Sequence, residues 1–314
     1  MNIGLGTAAI GRPQYINLRT EKSSHTNLDE FRQNGFHVLE EAYKLGVRYF
    51  DTAPGYGLAE NLLIDWLQTK DDNTIKLATK WGYTYVANFE TNAKVHEVKE
   101  HSLLKLNEQW QVSKALLPYL SVYQIHSATL ETGVLENEAI LNQLAFLKEE
   151  FNLQIGLTTT GFNQVDVLKK GLDVQVEGKQ LFDAFQCTYN ILDQSIGDLN
   201  TVLKNENKAL IIKEVLANGR LFPNDKFTHY KSLYSELRLL ALKYNVGIDA
   251  IVLQFCLSTL QPAIVLSGSS NKLHLQQNLL ANTFVLSEDE VDRLRAYKIN
   301  ATQYWNERKK LTWN

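Results

Sequence analysis

The sequence predicts an α/β protein closed as a (β/α)8 TIM barrel, and three observations carry that prediction. Eight short apolar or β-branched runs recur along the 314 residues, at 3–7, 47–52, 75–80, 122–126, 154–159, 184–189, 209–215 and 263–268. Segments of helical periodicity lie between them, at about 27–46, 58–69, 91–108, 134–151, 163–170, 195–206, 231–246 and 248–259. Two more helical stretches, about 271–281 and 287–297, follow the last run. Strands that alternate with helices imply parallel strands joined by crossovers, and eight such units fit a closed barrel. An open doubly wound sheet is the rival. It calls for a G-x-G-x-x-G turn after the first strand and an acidic residue about 20 positions later. Gly4, Gly6 and Gly11 do not have that spacing.

Each run is short enough for a strand, and none is long and apolar enough to span a membrane. With 44% hydrophobic and 21% charged residues, the chain can bury a large core. No low-complexity linker divides it, so one domain over 1–314 is expected. A net charge of −3 without a basic run gives no reason to propose a nucleic-acid partner. The opening Met-Asn-Ile-Gly-Leu-Gly reads as entry into the first strand and not as a basic-then-apolar signal. Cys187 and Cys256 sit in apolar runs and read as buried thiols. A cytoplasmic setting is the default. The final stretch, 300–314, carries Tyr304, Trp305 and Trp313 without a helical period and reads as a tail over the surface. No heptad or other self-association signal indicates an oligomeric state.

Ionisable residues cluster at the carboxyl ends of the predicted strands. Asp51 and Tyr56 follow the second, with Pro54, Gly55 and Gly57 forcing a turn; Lys80 ends the third and His126 the fourth. Strand ends of a barrel converge on one face, so these four residues can meet. Singly, Asp51 would be a turn residue, Tyr56 a packed aromatic, Lys80 a solvated strand end and His126 a core histidine. At three consecutive strand ends, the set suits proton delivery beside hydride transfer. A free tyrosine, with pKa near ~10, is a reluctant acid at neutral pH. A neighbouring ammonium favours its phenolate, with a gross attraction of about 4 kcal/mol at ~4 Å and an effective dielectric of ~20. Lys80 is thus expected to lower the Tyr56 pKa, Asp51 to hold Lys80, and His126 to orient a carbonyl.

The pattern Phe50-Asp51-Thr52-Ala53-x-x-Tyr56-Gly57 followed by Glu60, with Lys80 and His126 at the matching strand ends, resembles the signature of the aldo-keto reductase family. The likeness extends from Gly4 to about Asn278. It implies a barrel that binds NADP or NAD in extended form and reduces aldehydes or ketones, or runs in reverse. Tyr56 would then be the general acid/base, tuned by Lys80 and Asp51. Gly6 and Thr7, after the first strand, fall within the implied cofactor site. By the same resemblance, Gln186 would hold the nicotinamide carboxamide, and the turn of Leu216, Asn218, Gly219 and Arg220 would wrap the pyrophosphate. Ser267, Gly268, Ser269, Ser270 and Asn278 would surround the adenosine. Thr158 and Thr159 stand where the family commonly has Ser-Asn, and His274, with Lys272 nearby, stands where an arginine often takes the 2′-phosphate. An arginine fork suits a phosphate better than either residue, so NADP versus NAD stays open.

No histidine pair has helical zinc spacing, so no metal is expected. His25, His37, His96, His101 and His229 read as surface or structural residues. The stretch Trp81-Gly82-Tyr83-Thr84-Tyr85 and the aromatic tail would either line a substrate pocket or pack as lid residues. Apart from Arg220 and Lys226, the presumed pocket loops carry few charges, so the expected substrate is a small carbonyl compound or a sugar. An alternative is a catalytically slow nicotinamide-binding sensor or assembly subunit on the same barrel.

Overall fold

The computed structural model describes residues 2–14, 18, 27–90 and 93–313, so His25 lies outside the described residues. Eight parallel strands close a barrel in sequential order: β1 (Ile3–Gly6), β2 (Tyr49–Asp51), β3 (Lys76–Trp81), β4 (Leu120–Ala128), β5 (Gln154–Thr159), β6 (Ala184–Thr188), β7 (Ala209–Lys213) and β8 (Ile264–Ser267). Each overlaps a predicted run, with β3 extending one residue past the end of its run and β4 two residues past each end, because β-branched and apolar segments buried on both faces are what parallel barrel strands require. Among the described residues, no single helix is long and apolar enough to cross a membrane.

Side chains alternate across each strand, and the alternation separates two environments. Ala78, Val122, Ala184, Ile211 and Leu266 form a small apolar cluster of their own, which plugs the barrel interior. Two residues further along, the same faces carry Lys80, Gln124, Gln186 and Lys213. The apolar layer therefore supports a polar one at the carboxyl end. Outward residues such as Leu77, Tyr123, Leu157 and Phe185 join the large cluster beneath the helices.

Two expectations need correction. The helix anticipated over 91–108 begins at Leu103, where the Ser102 side chain caps it by accepting from Lys105 N. Upstream, Glu97–Lys99 pairs antiparallel with Tyr83–Tyr85 as a hairpin over the barrel mouth. The tail is also not irregular. Ala301–Lys309 is a helix capped by Asn300, with Tyr304 and Trp305 buried. Its burial rests on those two adjacent aromatics, a pattern too short to show a helical period.

Close backbone approach sets the turn that carries Tyr56. Leu58 N donates to Gly11 O at 2.8 Å, so the short helix after β1 locks onto the segment after β2. A Cβ on Gly11 would lie 2.1 Å from Tyr56 O, and Gly57 adopts φ 66° with its own Cβ position 2.5 Å from Gly11 O. Neither position has room for a side chain, and Gly57 also uses backbone space that favours glycine. Behind β3, the buried Glu60 accepts from Thr79 Oγ1 (2.6 Å) and Ser113 Oγ (2.8 Å), clasping two helices to the strand.

Two measurements test these anchors. Gly11→Ala is expected to cost roughly 2–3 kcal/mol in chemical denaturation through backbone displacement, and to lower turnover with it; unchanged stability would show that the two turns are not interlocked. Burial raises the Glu60 pKa to about 7, against the lowering effect of its two hydrogen bonds and Lys80. A carboxyl raised on folding stabilises most below its unfolded pKa of ~4.3, and that contribution is lost as pH rises through the folded value. Glu60→Gln keeps an acceptor for both hydroxyls and removes the loss. Its stability relative to wild type should rise by roughly 3–4 kcal/mol between about pH 4 and pH 8; parallel Tm-versus-pH curves would contradict this.

Candidate active site

At the carboxyl end of the barrel, Lys80 and Asp51 form a buried ion pair, 0% and 2% exposed, with Nζ–Oδ1 at 2.5 Å. Lys80 also donates to Thr52 O at 2.9 Å. The second carboxylate oxygen accepts from Gln186 Nε2 at 2.8 Å and Gln124 Nε2 at 3.4 Å. Residues from β2, β3, β4 and β6 thus meet on one carboxylate. This satisfies the requirement that a buried charge be paired and hydrogen-bonded.

Tyr56 and His126 lie above this pair. Lys80 Nζ is 4.8 Å from the Tyr56 ring centroid, and the Tyr56 and His126 rings meet edge to face at 5.5 Å. The four residues that the strand ends single out are therefore together. His126 is placed by a bulge: the β4–β5 register shifts between Ile125 and Ala128, and Ser127 takes φ 52°. Ser127 N donates to Thr158 Oγ1 (2.7 Å), Lys99 Nζ donates to Ser127 O (2.7 Å), and His101 Nε2 meets His126 O at 3.0 Å.

The electrostatics differ from the expectation in one respect. Burial pushes the Tyr56 phenol well above its ordinary pKa, Asp51 pushes in the same direction, and Arg12 opposes them. The lowering expected from a lysine neighbour is outweighed in this setting. Burial also drives His126 well below its usual value, helped by Lys80, Lys213 and Arg12, so its imidazole is neutral. Buried His126 Nδ1 and Gln124 Oε1 have no hydrogen-bond partner among the described residues.

Several residues at the mouth were not singled out by sequence. Arg12 is buried, donates to Gly55 O (2.9 Å) and Glu97 Oε2 (2.7 Å), and lies between the Tyr56 and Trp313 rings, 5.4 and 4.9 Å from their centroids. Tyr83 of the hairpin sits 4.7 Å from the His126 ring, and burial raises its pKa to about 12. Trp81 is fully buried, whereas Trp313 stacks on His96 at 4.3 Å. Gln124 and Lys213 were within reach of sequence reasoning, since each is two residues from an inward-facing neighbour on its strand. Arg12 sits on a loop and Glu97 on the three-residue hairpin strand, and neither carried such a signal.

The expected cofactor residues divide into two groups. Ser267, Ser269 and Asn278 converge: with its amide satisfied on both sides, Asn278 accepts from Ser267 Oγ (2.7 Å) and Ser269 Oγ (3.0 Å) and donates to Asp249 Oδ2 (2.7 Å). A Cβ on Gly268 would meet open space. Ser270 O accepts from Asn34 Nδ2 at 3.4 Å. Leu216, Asn218 and Gly219 form a tight turn in which Asn218 O accepts from Leu18 N at 3.0 Å, and both Asn218 and Gly219 have positive φ. Other residues are committed elsewhere. Thr7 donates through N and Oγ1 to Asp51 O, next to Gly6 at the end of β1, and Thr159 Oγ1 donates to Gln164. His274 Nδ1 lies 3.1 Å from Asn271 Nδ2, and Lys272 pairs with Glu41 at 2.6 Å. Arg220, expected in the cofactor turn, is fully buried: Nε donates to Ala217 O of that turn (3.0 Å), Nη1 bonds Tyr304 O (3.0 Å) and Glu307 Oε2 (3.2 Å), and the guanidinium lies 4.1 Å from the Tyr304 ring. The C-terminal helix thus offers it a carbonyl, a carboxylate and an aromatic face at once. Cys187 is buried, which raises its thiol pKa to about 11 and leaves it unsuited as a nucleophile.

The aldo/keto reductase family model matches residues 2–299. L-galactose dehydrogenase of Arabidopsis thaliana is 27% identical over 263 residues, covering 78% of this chain and 77% of that protein. NADH-specific methylglyoxal reductase of Escherichia coli (strain K12) is 22% identical, with 93% of each covered. Among solved structures, a glycerol dehydrogenase from Gluconobacter oxydans has a TM-score of 0.71 at 21% identity, over 94% of this chain and 91% of its own. A holo aldo-keto reductase from Bacillus halodurans gives 0.69 at 21% identity, over 97% and 95%. These structural likenesses concern the fold, and the family match extends over nearly the whole sequence. The chain belongs to the aldo/keto reductase family.

Proposed function

We propose that this barrel is an NAD(P)-dependent oxidoreductase that interconverts a small carbonyl compound or sugar and its alcohol, with Tyr56 as general acid/base. The observation that carries the reading is the buried Lys80–Asp51 pair beneath Tyr56, with neutral His126 beside the phenol. Tyr56 makes no side-chain hydrogen bond to a described residue, so its hydroxyl is open to a substrate oxygen. His126 can donate to the same oxygen, polarising it and holding it in line. Asp51 and the two glutamines keep the ammonium of Lys80 fixed. Proton transfer then meets a preorganised field and requires no charge movement from solvent.

The residues present fit a nicotinamide dinucleotide. Buried His126 Nδ1 and Gln124 Oε1 are polar atoms in want of a partner at the mouth. Gln186 gives its amide nitrogen to Asp51 and retains its carbonyl oxygen for a carboxamide N–H. Thr158 would flank that group, Leu216, Asn218 and Gly219 the pyrophosphate, and Ser267–Ser270 and Asn278 the adenosine. Bound there, a dihydronicotinamide supplies the hydride. NAD is the better fit of the two forms. Lys272 is paired with Glu41, His274 lies against Asn271, and Asp249 places a carboxylate beside Asn278 where a 2′-phosphate would need cations. The NADH specificity in the name of the Escherichia coli relative points the same way. An intact proton-delivery set argues against a slow sensor.

Tyr56→Phe is expected to lower turnover by about 10²–10⁴-fold across a panel of aldehydes, ketones and sugars while NADH still binds. Equal rates for the two proteins would remove Tyr56 from the mechanism. Because the phenol pKa is raised, the acid stays protonated through neutral pH, so wild-type reduction should hold level there and fall only on the alkaline side. Fluorescence titration should show NADH binding at least ~10-fold more tightly than NADPH, since an unmatched phosphate charge is costly beside a carboxylate. The reverse order would show that His274 and Lys272 rearrange to take the phosphate.

A further inference from the structure

Among the described residues, Lys213 at the mouth makes no ion pair, and Glu214 attracts its charge without direct contact. On β7, Ile211 belongs to the apolar plug inside the barrel, and Lys213, two residues later, faces the same way. Its register partner is Thr188, and Ile211 pairs with Gln186, so the ammonium lies one strand over from Gln186 and one layer above it. Among the described residues Nζ makes one hydrogen bond, a long one of 3.5 Å to Thr188 Oγ1, the same hydroxyl that donates to Glu214 Oε2 at 3.5 Å. The neighbouring Glu214 does not neutralise it by contact. Glu214 takes a left-handed backbone (φ 55°), and its carboxylate is gripped by the Arg308 fork, with Nη2–Oε1 at 2.5 Å and Nε–Oε1 at 2.9 Å. Burial would raise the Glu214 pKa, but Arg308 and Lys213 hold it down at about 2, so the carboxylate stays charged and committed. Burial lowers the Lys213 pKa, and its charge is felt across the mouth at His126.

A nicotinamide ring is positively charged when oxidised and neutral when reduced. An ammonium held beside it, without a carboxylate in contact and in a partly dry wall, disfavours the oxidised form and leaves the reduced form almost unaffected. We propose that Lys213 sets the redox-state preference of the cofactor site, so that the reduced dinucleotide binds more tightly than the oxidised one. This rests on the reading above, in which Gln186 and Thr158 seat the nicotinamide. The consequence is release of oxidised cofactor after carbonyl reduction, and a handicap for the reverse reaction when oxidised cofactor is scarce.

The test is binding, without turnover. Dissociation constants for NADH, NAD+ and ADP-ribose are measured by calorimetry on wild type, Lys213→Met, Lys213→Gln and Lys213→Arg. The preference for NADH over NAD+ is expected to fall by about 10-fold in the methionine and glutamine variants, through tighter NAD+ binding, and to survive in the arginine variant. ADP-ribose, which lacks the ring, should bind all four proteins equally. An unchanged NADH/NAD+ ratio in both neutral variants overturns the proposal, as does a change in ADP-ribose affinity that matches the change for NAD+. If wild type binds NADH no better than ADP-ribose, the nicotinamide has no seat here, and both the underlying reading and the proposal fall.

Discussion

The Lys80–Asp51 pair is the constraint to which the rest of the site is fitted. Two charges removed from water require each other and further hydrogen bonds, because an unpaired charge in such a place would cost several kcal/mol. Four strands supply what is needed: Asp51 from β2, Lys80 from β3, Gln124 from β4 and Gln186 from β6. The pair thereby cross-braces the upper barrel. It also fixes the field in which Tyr56 and His126 work, one with its phenol held protonated and the other with its imidazole held neutral. Both states follow from burial first and from neighbouring charges second.

Around this centre, the loops are tied by long-range contacts. Arg12 links the segment after β1 to the hairpin through Glu97 and to the chain end through Trp313. Arg308 reaches from the last helix to Glu214 beyond β7, and Arg220 reaches back to Tyr304 and Glu307. These are mostly buried or partly buried arginines with fork-to-carboxylate or ring contacts, the geometry in which arginine is least replaceable by lysine. Asn190 Nδ2 adds a bond to Tyr304 OH at 2.9 Å. The C-terminal helix is thus part of the barrel's upper wall. It shares the Arg220 guanidinium with Ala217 O of the turn after β7.

Much of the barrel and of its reactive set could be read from the chain. Strands announce themselves by local content, and a barrel brings consecutive strand ends together whatever the loops do. Asp51, Tyr56, Lys80 and His126 were therefore visible as a group before any coordinate was known. The hairpin of Tyr83–Tyr85 and Glu97–Lys99 was not, because a two-stranded antiparallel ribbon of three residues a side carries too little periodicity to compete with a helical pattern. Nor was the helix Ala301–Lys309, whose hold on the barrel comes from partners far away in sequence.

By itself, then, the sequence determined the closed α/β barrel, the carboxylate, phenol, ammonium and imidazole at its rim, and the family to which such a pattern belongs. The reason is that strand spacing and side-chain alternation are local properties, and the barrel converts them directly into proximity. Only the tertiary structure decided how those groups are charged and which neighbours they keep. Burial, and not Lys80, dominates the Tyr56 phenol; Arg12 comes to the mouth on a loop and Glu97 on the hairpin; Lys213 makes no ion pair with a described residue because Arg308 has taken Glu214. Such outcomes depend on desolvation and on competition among partners distant in the chain, and no local pattern encodes either.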